Sequence, residues 1–122
     1  MAILAAMSSN PDDLLPLPPA TLHILLALAE GELHGYAIIG DIERRTDGEL
    51  RISAGTLYRS IARMVEQGLI VEVEKRRTIA DDERRRYYRI TKFGESVARA
   101  EVRRLTQFVR DARARGLVTG TT

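Results

Sequence analysis

The chain has no cysteine and no tryptophan, two histidines, four tyrosines and two phenylalanines among 122 residues. Without cysteine there is no disulfide framework, no Cys-ligated zinc, no iron–sulfur cluster and no thiol nucleophile. A reducing, cytoplasmic setting is compatible with that composition. His23 and His34 lie eleven residues apart, neither with a recognisable nucleophile partner, and the carboxylates share no convergent motif. Enzyme chemistry is therefore a poor reading, and neither a metal nor a cofactor is expected. Long apolar runs are lacking too. Ile24–Ala29 (ILLALA) falls far short of the roughly 20 residues that span a bilayer, so no membrane partner is expected. The apolar start, Met1–Met7, has no basic flank and does not read as a signal peptide.

What the chain does have is charge, 30% of its residues, balanced to a formal +2. The balance hides an asymmetry. Residues 1–50 hold two arginines against eight acids, a net −6, while residues 51–122 hold 17 bases against nine acids, a net +8. An anionic partner for the second half and a merely solvated basic face both fit that distribution.

Hydrophobic periodicity divides the chain into four helices and a hairpin. Pro16-Leu17-Pro18-Pro19 separates an N-terminal arm, 1–17, from a first helix over 18–29, with Leu22, Leu25, Leu26 and Ala29 as its buried stripe. A second helix spans 35–45 with Tyr36, Ile39 and Ile42 on one face, before the turn cluster Thr46-Asp47-Gly48. Ser53 is a natural N-cap for a third helix whose core stripe is Leu57, Ile61, Met64 and Val65, stopped at Gln67-Gly68. The period then changes to two. Residues 69–74 (LIVEVE) and 87–91 (YYRIT) read as paired strands around a long tip rich in arginine. Tyr87 and Tyr88 must face opposite sides, one of them inward. Thr91 caps a long helix from Lys92 to about Arg115, closed by Gly116, and 117–122 is a tail. Along this last helix Ala98, Val102, Leu105, Val109 and Ala112 recur at a 4-3-4-3 spacing with Phe108 beside them. That narrow seam suits a helix packed on another helix, in a second copy of the chain or in its own domain.

The fold class is therefore mainly α with a small β-hairpin, and the element order is that of a winged helix-turn-helix plus a long C-terminal helix. Four segments in order carry a resemblance: His34-Gly35-Tyr36, Ser53-Ala54-Gly55-Thr56-Leu57-Tyr58-Arg59, Glu66-Gln67-Gly68-Leu69-Ile70, and Arg86-Tyr87-Tyr88-Arg89-Ile90-Thr91-Lys92-Phe93-Gly94. Together, over roughly residues 18–116, they closely resemble the PadR family of bacterial transcriptional regulators, in its branch with a short C-terminal region. The resemblance implies a homodimeric repressor of transcription that binds double-stranded DNA. Residues 18–91 would be the DNA-binding domain and 92–116 the dimerisation helix. It also implies a small hydrophobic effector, which no residue of this chain identifies.

Physical reasoning points to the same face. In a helix-turn-helix the N-terminal residues of the second helix meet base edges and phosphates. Here Ser53 and Thr56 can hydrogen-bond either, and Ala54 and Gly55 permit close approach. Tyr58 and Arg59 can reach outward, and Arg59 is the best candidate for a bidentate guanine contact. Arg63, one turn on, suits a phosphate. By resemblance Tyr36 and Tyr58 are motif tyrosines near the DNA, although Tyr36 reads equally well as core. Lys75, Arg76, Arg77, Arg84, Arg85 and Arg86 flank the acidic turn Asp81-Asp82-Glu83 and can track the phosphate backbone, or simply solvate the hairpin. Ser53 is a cap whether or not it touches DNA, and His34 reads as a helix-start residue rather than a metal ligand. The expected operator is an inverted repeat with half-sites about one helical turn apart. The seam residues Ala98, Val102, Leu105, Phe108, Val109 and Ala112 are the expected dimer interface. Ile3, Leu4, Leu14 and Leu15 of the arm either join it or are disordered. The alternative function is a winged-helix module that meets a partner protein without specific DNA binding.

Overall fold

The computed structural model of the chain describes residues 10–74 and 86–118. Within them a one-turn 3-10 helix, Pro11–Leu14, precedes helices α1 (Pro19–Leu28), α2 (Gly35–Arg45), α3 (Ala54–Glu66) and α4 (Lys92–Ala114). Strand β1 (Leu33–His34) lies between α1 and α2, and strands β2 (Ile70–Val73) and β3 (Tyr87–Ile90) lie between α3 and α4. The sheet is antiparallel with β3 in the centre: Ile70 pairs with Ile90 on one side and Leu33 with Tyr88 on the other. The expected two-stranded wing thus has a third strand. Two residues are too few to show a period, and His34 was legible only as the start of α2. It does both. Its Nδ1 accepts the Ala37 N–H at 3.3 Å, and its ring meets Tyr87 edge-on at 5.3 Å.

One core joins the elements. Ile24, Leu25 and Leu28 of α1, Ile38 and Ile42 of α2, Leu57 and Met64 of α3, and Val97 of α4 are all inaccessible or nearly so, with Leu69, Ile70 and Tyr88 beneath the wing. Three expected stripes shift. On α1 the covered residues are Thr21, Ile24, Leu25, Ala27 and Leu28, and Leu26 and Ala29 face out. This helix is apolar nearly all round, so its pattern does not select a face. On α2 the buried set is Gly35, Ile38 and Ile42, which leaves Tyr36 exposed. On α3 Val65 is exposed because, at 100° per residue, it stands about 80° round from Leu57, whereas Met64 stands about 20° from it.

The α3–wing–α4 junction is built from backbone hydrogen bonds and the Thr91 hydroxyl. After α3, Gly68 takes φ +79°, and the Leu69 N–H returns to the Met64 carbonyl at 2.9 Å. The Thr91 hydroxyl donates to the Gly68 carbonyl at 2.6 Å and accepts the Gly94 N–H at 2.9 Å, capping α4 and fixing its take-off from the wing.

The segment before α1 is packed down. Leu14, Leu15 and Leu17 rest on the core, and the 3-10 turn lies against α4. Ile3 and Leu4 lie outside the described residues. Leu17 carries the only N–H in the run Pro16–Pro19, and it donates to Glu101 Oε2 at 2.9 Å. Glu101 is 2% exposed. Its carboxylate also accepts from the guanidinium of Arg104, at 3.0 Å from Nη2 and more closely from Nε. The Arg104 hydrogen bonds hold the Glu101 carboxyl below its ordinary range, and the Leu17 N–H adds to this against the opposing effect of burial.

Candidate nucleic-acid interface

The start of α3 turns a polar, small-residue face outward and a wholly apolar one inward. Ser53 Oγ accepts the Thr56 N–H at 3.1 Å, leaving other first-turn N–H groups pointing off the helix end, where an anion is favoured. Thr56 Oγ1 lies 3.1 Å from Ser53 Oγ and accepts from Arg59 Nη2 at 3.2 Å. This Ser53–Thr56–Arg59 chain holds the guanidinium against the first turn of the helix. Ala54, Gly55, Arg59, Ala62 and Arg63 are exposed beside it, while Leu57, Ile61 and Met64 are covered. Arg51, in the extended link just before, is exposed as well. Sequence reading passed it over, the only signal being a base in a link leading into the helix.

Tyr36 is 73% exposed, which removes its core reading. Tyr58 is partly exposed, and its hydroxyl end lies over Gly35. Of the wing tyrosines, Tyr88 is the inward one. Burial, together with the nearby Glu72, raises its phenol pKa above the ordinary value and keeps it neutral. Arg86 is exposed and loosely paired with Glu72, Nε to Oε2 3.9 Å. Tyr58, Ile61, Val65, Glu72, Arg86 and Tyr88 line a shared cleft of about 330 Å³, so this wing base opens onto the same side of the molecule as α3. Arg89, two residues from Tyr87 on the central strand, is exposed too, and strand alternation could have singled it out. Lys75, Arg76, Arg77, Arg84 and Arg85 lie outside the described residues.

Arg45, in the acidic half of the chain, serves the scaffold instead of this face. Arg45 donates to Asp41 Oδ2 at 2.7 Å and to the His23 carbonyl at 2.9 Å, tying α2 to α1. His23 is held below its ordinary pKa by burial and then by the Arg45 charge.

A second surface lies along α4. Val97, Ala100 and Glu101 face the domain, and Ala98 packs beside them against the core. From Val102 to Arg113 the helix is exposed on nearly all sides, with Val102, Leu105, Phe108 and Val109 open to solvent and Ala112 half-covered. The Arg104 guanidinium stands over the Phe108 ring at 5.3 Å. Leu26, Ala98 and Val102 continue the apolar strip back onto α1, bordered by Arg99 and Arg103.

Among the described residues no helix is long and apolar enough to cross a membrane, and no group of three His, Cys, Asp or Glu residues is placed to hold a metal ion.

Comparison with known proteins agrees with this architecture. The model of the transcriptional regulator PadR-like family matches residues 24–100. A transcriptional regulator of Mycobacterium tuberculosis is 32% identical over 90 residues, covering 74% of this chain and 78% of its own. The solved structure of a transcriptional regulator from Clostridium thermocellum is 33% identical, with TM-score 0.62 over 75% of this chain and 86% of the other. Bacillus subtilis PadR, solved in complex with operator DNA, shares the fold at TM-score 0.61 and 18% identity, over 71% of this chain and 47% of its own.

Proposed function

The chain belongs to the PadR-like family of transcriptional regulators, which is not a family of enzymes, and from that premise we propose that it is a homodimeric repressor that reads an inverted-repeat operator. The observation that carries the proposal is the outer face of α3, where Ser53, Thr56 and Arg59 form one hydrogen-bonded chain beside exposed small residues. Arg59 reads a base, with Tyr36, Ser53, Thr56 and Tyr58 around it, while Arg63 and the wing bases Lys75, Arg76, Arg77, Arg84, Arg85 and Arg86 position the backbone. Residues 18–91 form the DNA-binding domain, 92–116 the dimerisation helix, 1–17 the arm and 117–122 the tail. The dimer forms through Ala98, Val102, Leu105, Phe108, Val109 and Ala112. Solvent exposure of four large apolar side chains on a helix that leaves its own domain supports that interface. Release from DNA by a small hydrophobic effector is supported by family resemblance.

Unbiased selection of duplex sites by the purified protein, repeated with two variants, tests the reading. Arg59→Ala relaxes preference at one base position per half-site. Arg84→Ala/Arg86→Ala weakens all duplexes alike. Uniform losses in both variants contradict the division between reading and positioning.

A further inference from the structure

We propose that Gly35 is a positioning residue for DNA reading: by lacking a side chain it seats the phenol of Tyr58 and so fixes where Tyr58 stands on the face of α3. The inference rests on the DNA-reading role proposed above for that helix.

Gly35 opens α2 and is buried. It is not among the glycines with positive φ, so its backbone conformation is open to any residue. The need for glycine there is spatial. A Cβ at position 35 would collide with the Tyr58 hydroxyl and lie 2.8 Å from Tyr58 Cζ and 3.3 Å from Leu57 Cδ2. Two of these three atoms belong to Tyr58, and the third is the far end of a leucine side chain.

Both walls of this seat are fixed. On the α2 side, His34 is paired with Tyr87 of β3 and caps the helix through Ala37, so the backbone at 34–35 is held from two directions. On the α3 side, Leu57, adjacent to Tyr58, is completely inaccessible in the core. A methyl at position 35 therefore displaces the phenol more readily than it displaces either helix. Tyr58 is 43% exposed, so the phenol borders solvent and is not enclosed by the core. A tyrosine held in its bound position loses less side-chain freedom on meeting DNA than one free to rotate. The helix-turn-helix pair thus carries its own alignment device, with α2 setting a reading side chain of α3.

The test is a double-mutant cycle on the duplex recovered by site selection with the wild-type protein. Affinity is measured by fluorescence anisotropy for the wild type, Gly35→Ala, Tyr58→Ala and the double variant, alongside melting temperatures. Gly35→Ala is expected to weaken binding to the selected duplex by about tenfold while leaving a random duplex within about twofold. In the Tyr58→Ala background the same change should cost nothing further. Additive losses, or no loss for Gly35→Ala, overturn the inference. If Gly35→Ala fails to fold, the double variant decides. Recovery of folding, with binding equal to Tyr58→Ala, supports seating through Tyr58; continued failure overturns it. A wild-type protein that selects no duplex overturns the DNA-reading proposal itself, whereas additivity on a duplex that it does bind overturns only the role of Gly35.

Discussion

Removing the Glu101 carboxylate should be among the most damaging single changes in the chain, although Glu101 touches none of the residues proposed to meet DNA. The carboxylate is 2% exposed and accepts from Leu17 and from two nitrogens of Arg104. Charge-assisted hydrogen bonds contribute about 1.5–3 kcal/mol each, and leaving a buried donor unpaired costs about 1–3 kcal/mol. In Glu101→Gln the amide oxygen can still accept from Leu17, but the amide nitrogen faces a guanidinium. Arg104, whose side chain is 34% exposed, can then turn to water, so the expected loss is about 1.5–3 kcal/mol. Glu101→Ala strands the Leu17 N–H as well and opens a void, for an expected loss of about 2–4 kcal/mol. Against a typical stability of about 5–15 kcal/mol either change is large. Urea unfolding followed by circular dichroism, at one protein concentration and with an unchanged slope, reads the difference. The carboxyl titrates below the ordinary glutamate value of 4.5 in the folded state. Its stabilisation is therefore complete above about pH 4.5 and is lost as the pH falls through the depressed folded value, so both variants should lack that part of the acid slope. A loss below about 1 kcal/mol in Glu101→Ala, the value of an exposed ion pair, refutes the reasoning.

Three further outcomes follow from the structure. Gly94→Ala should destabilise by about 3 kcal/mol or more, because a Cβ there meets the Leu69 carbonyl, which is backbone and cannot rotate away; an unchanged melting temperature contradicts the α3–wing–α4 junction as described. The wild type should be dimeric by light scattering at micromolar concentration and Leu105→Ala/Phe108→Ala monomeric, since truncating large apolar residues that the proposed dimer would bury costs about 2–5 kcal/mol each; a monomeric wild type refutes the interface. His23 titrates below its ordinary 6.5, so the folded state favours neutral imidazole and stability falls as the pH drops below about 6.5. His23→Gln should remove that part of the pH dependence, and an unaltered slope contradicts it.

What was legible in the sequence was punctuation more than facing. Thr91 and Ser53 are caps that specify where α4 and α3 begin, and each makes the expected bond to the third residue on. Facing failed where hydrophobicity carried no contrast, as along α1, or where an apolar-looking residue served the surface, as at Tyr36. Glu101 was missed because an acid among the charged residues of an arginine-rich helix looks like solvation. Its partner is the one free N–H of a proline run 84 residues away. The family segments were informative for a structural reason. Gly68, Leu69, Thr91 and Gly94 are joined in a single backbone junction, so those motifs specify the fold more than a contact with DNA. Ser53, Thr56 and Arg59 were each legible as candidates at the start of α3, but the hydrogen bonds that join them were not.

The central claim is that the exposed face of α3 reads sequence and does not merely attract phosphate. Its most direct measurement is an anisotropy titration of the wild-type protein against its site-selected duplex and a scrambled duplex of equal length, at physiological salt and across a salt series. The selected duplex should be preferred by at least about 10³-fold. The slope of log K on log salt should lie near −7, for about four phosphates neutralised by each protomer. Equal affinity for the two duplexes, or a slope near zero, contradicts the claim.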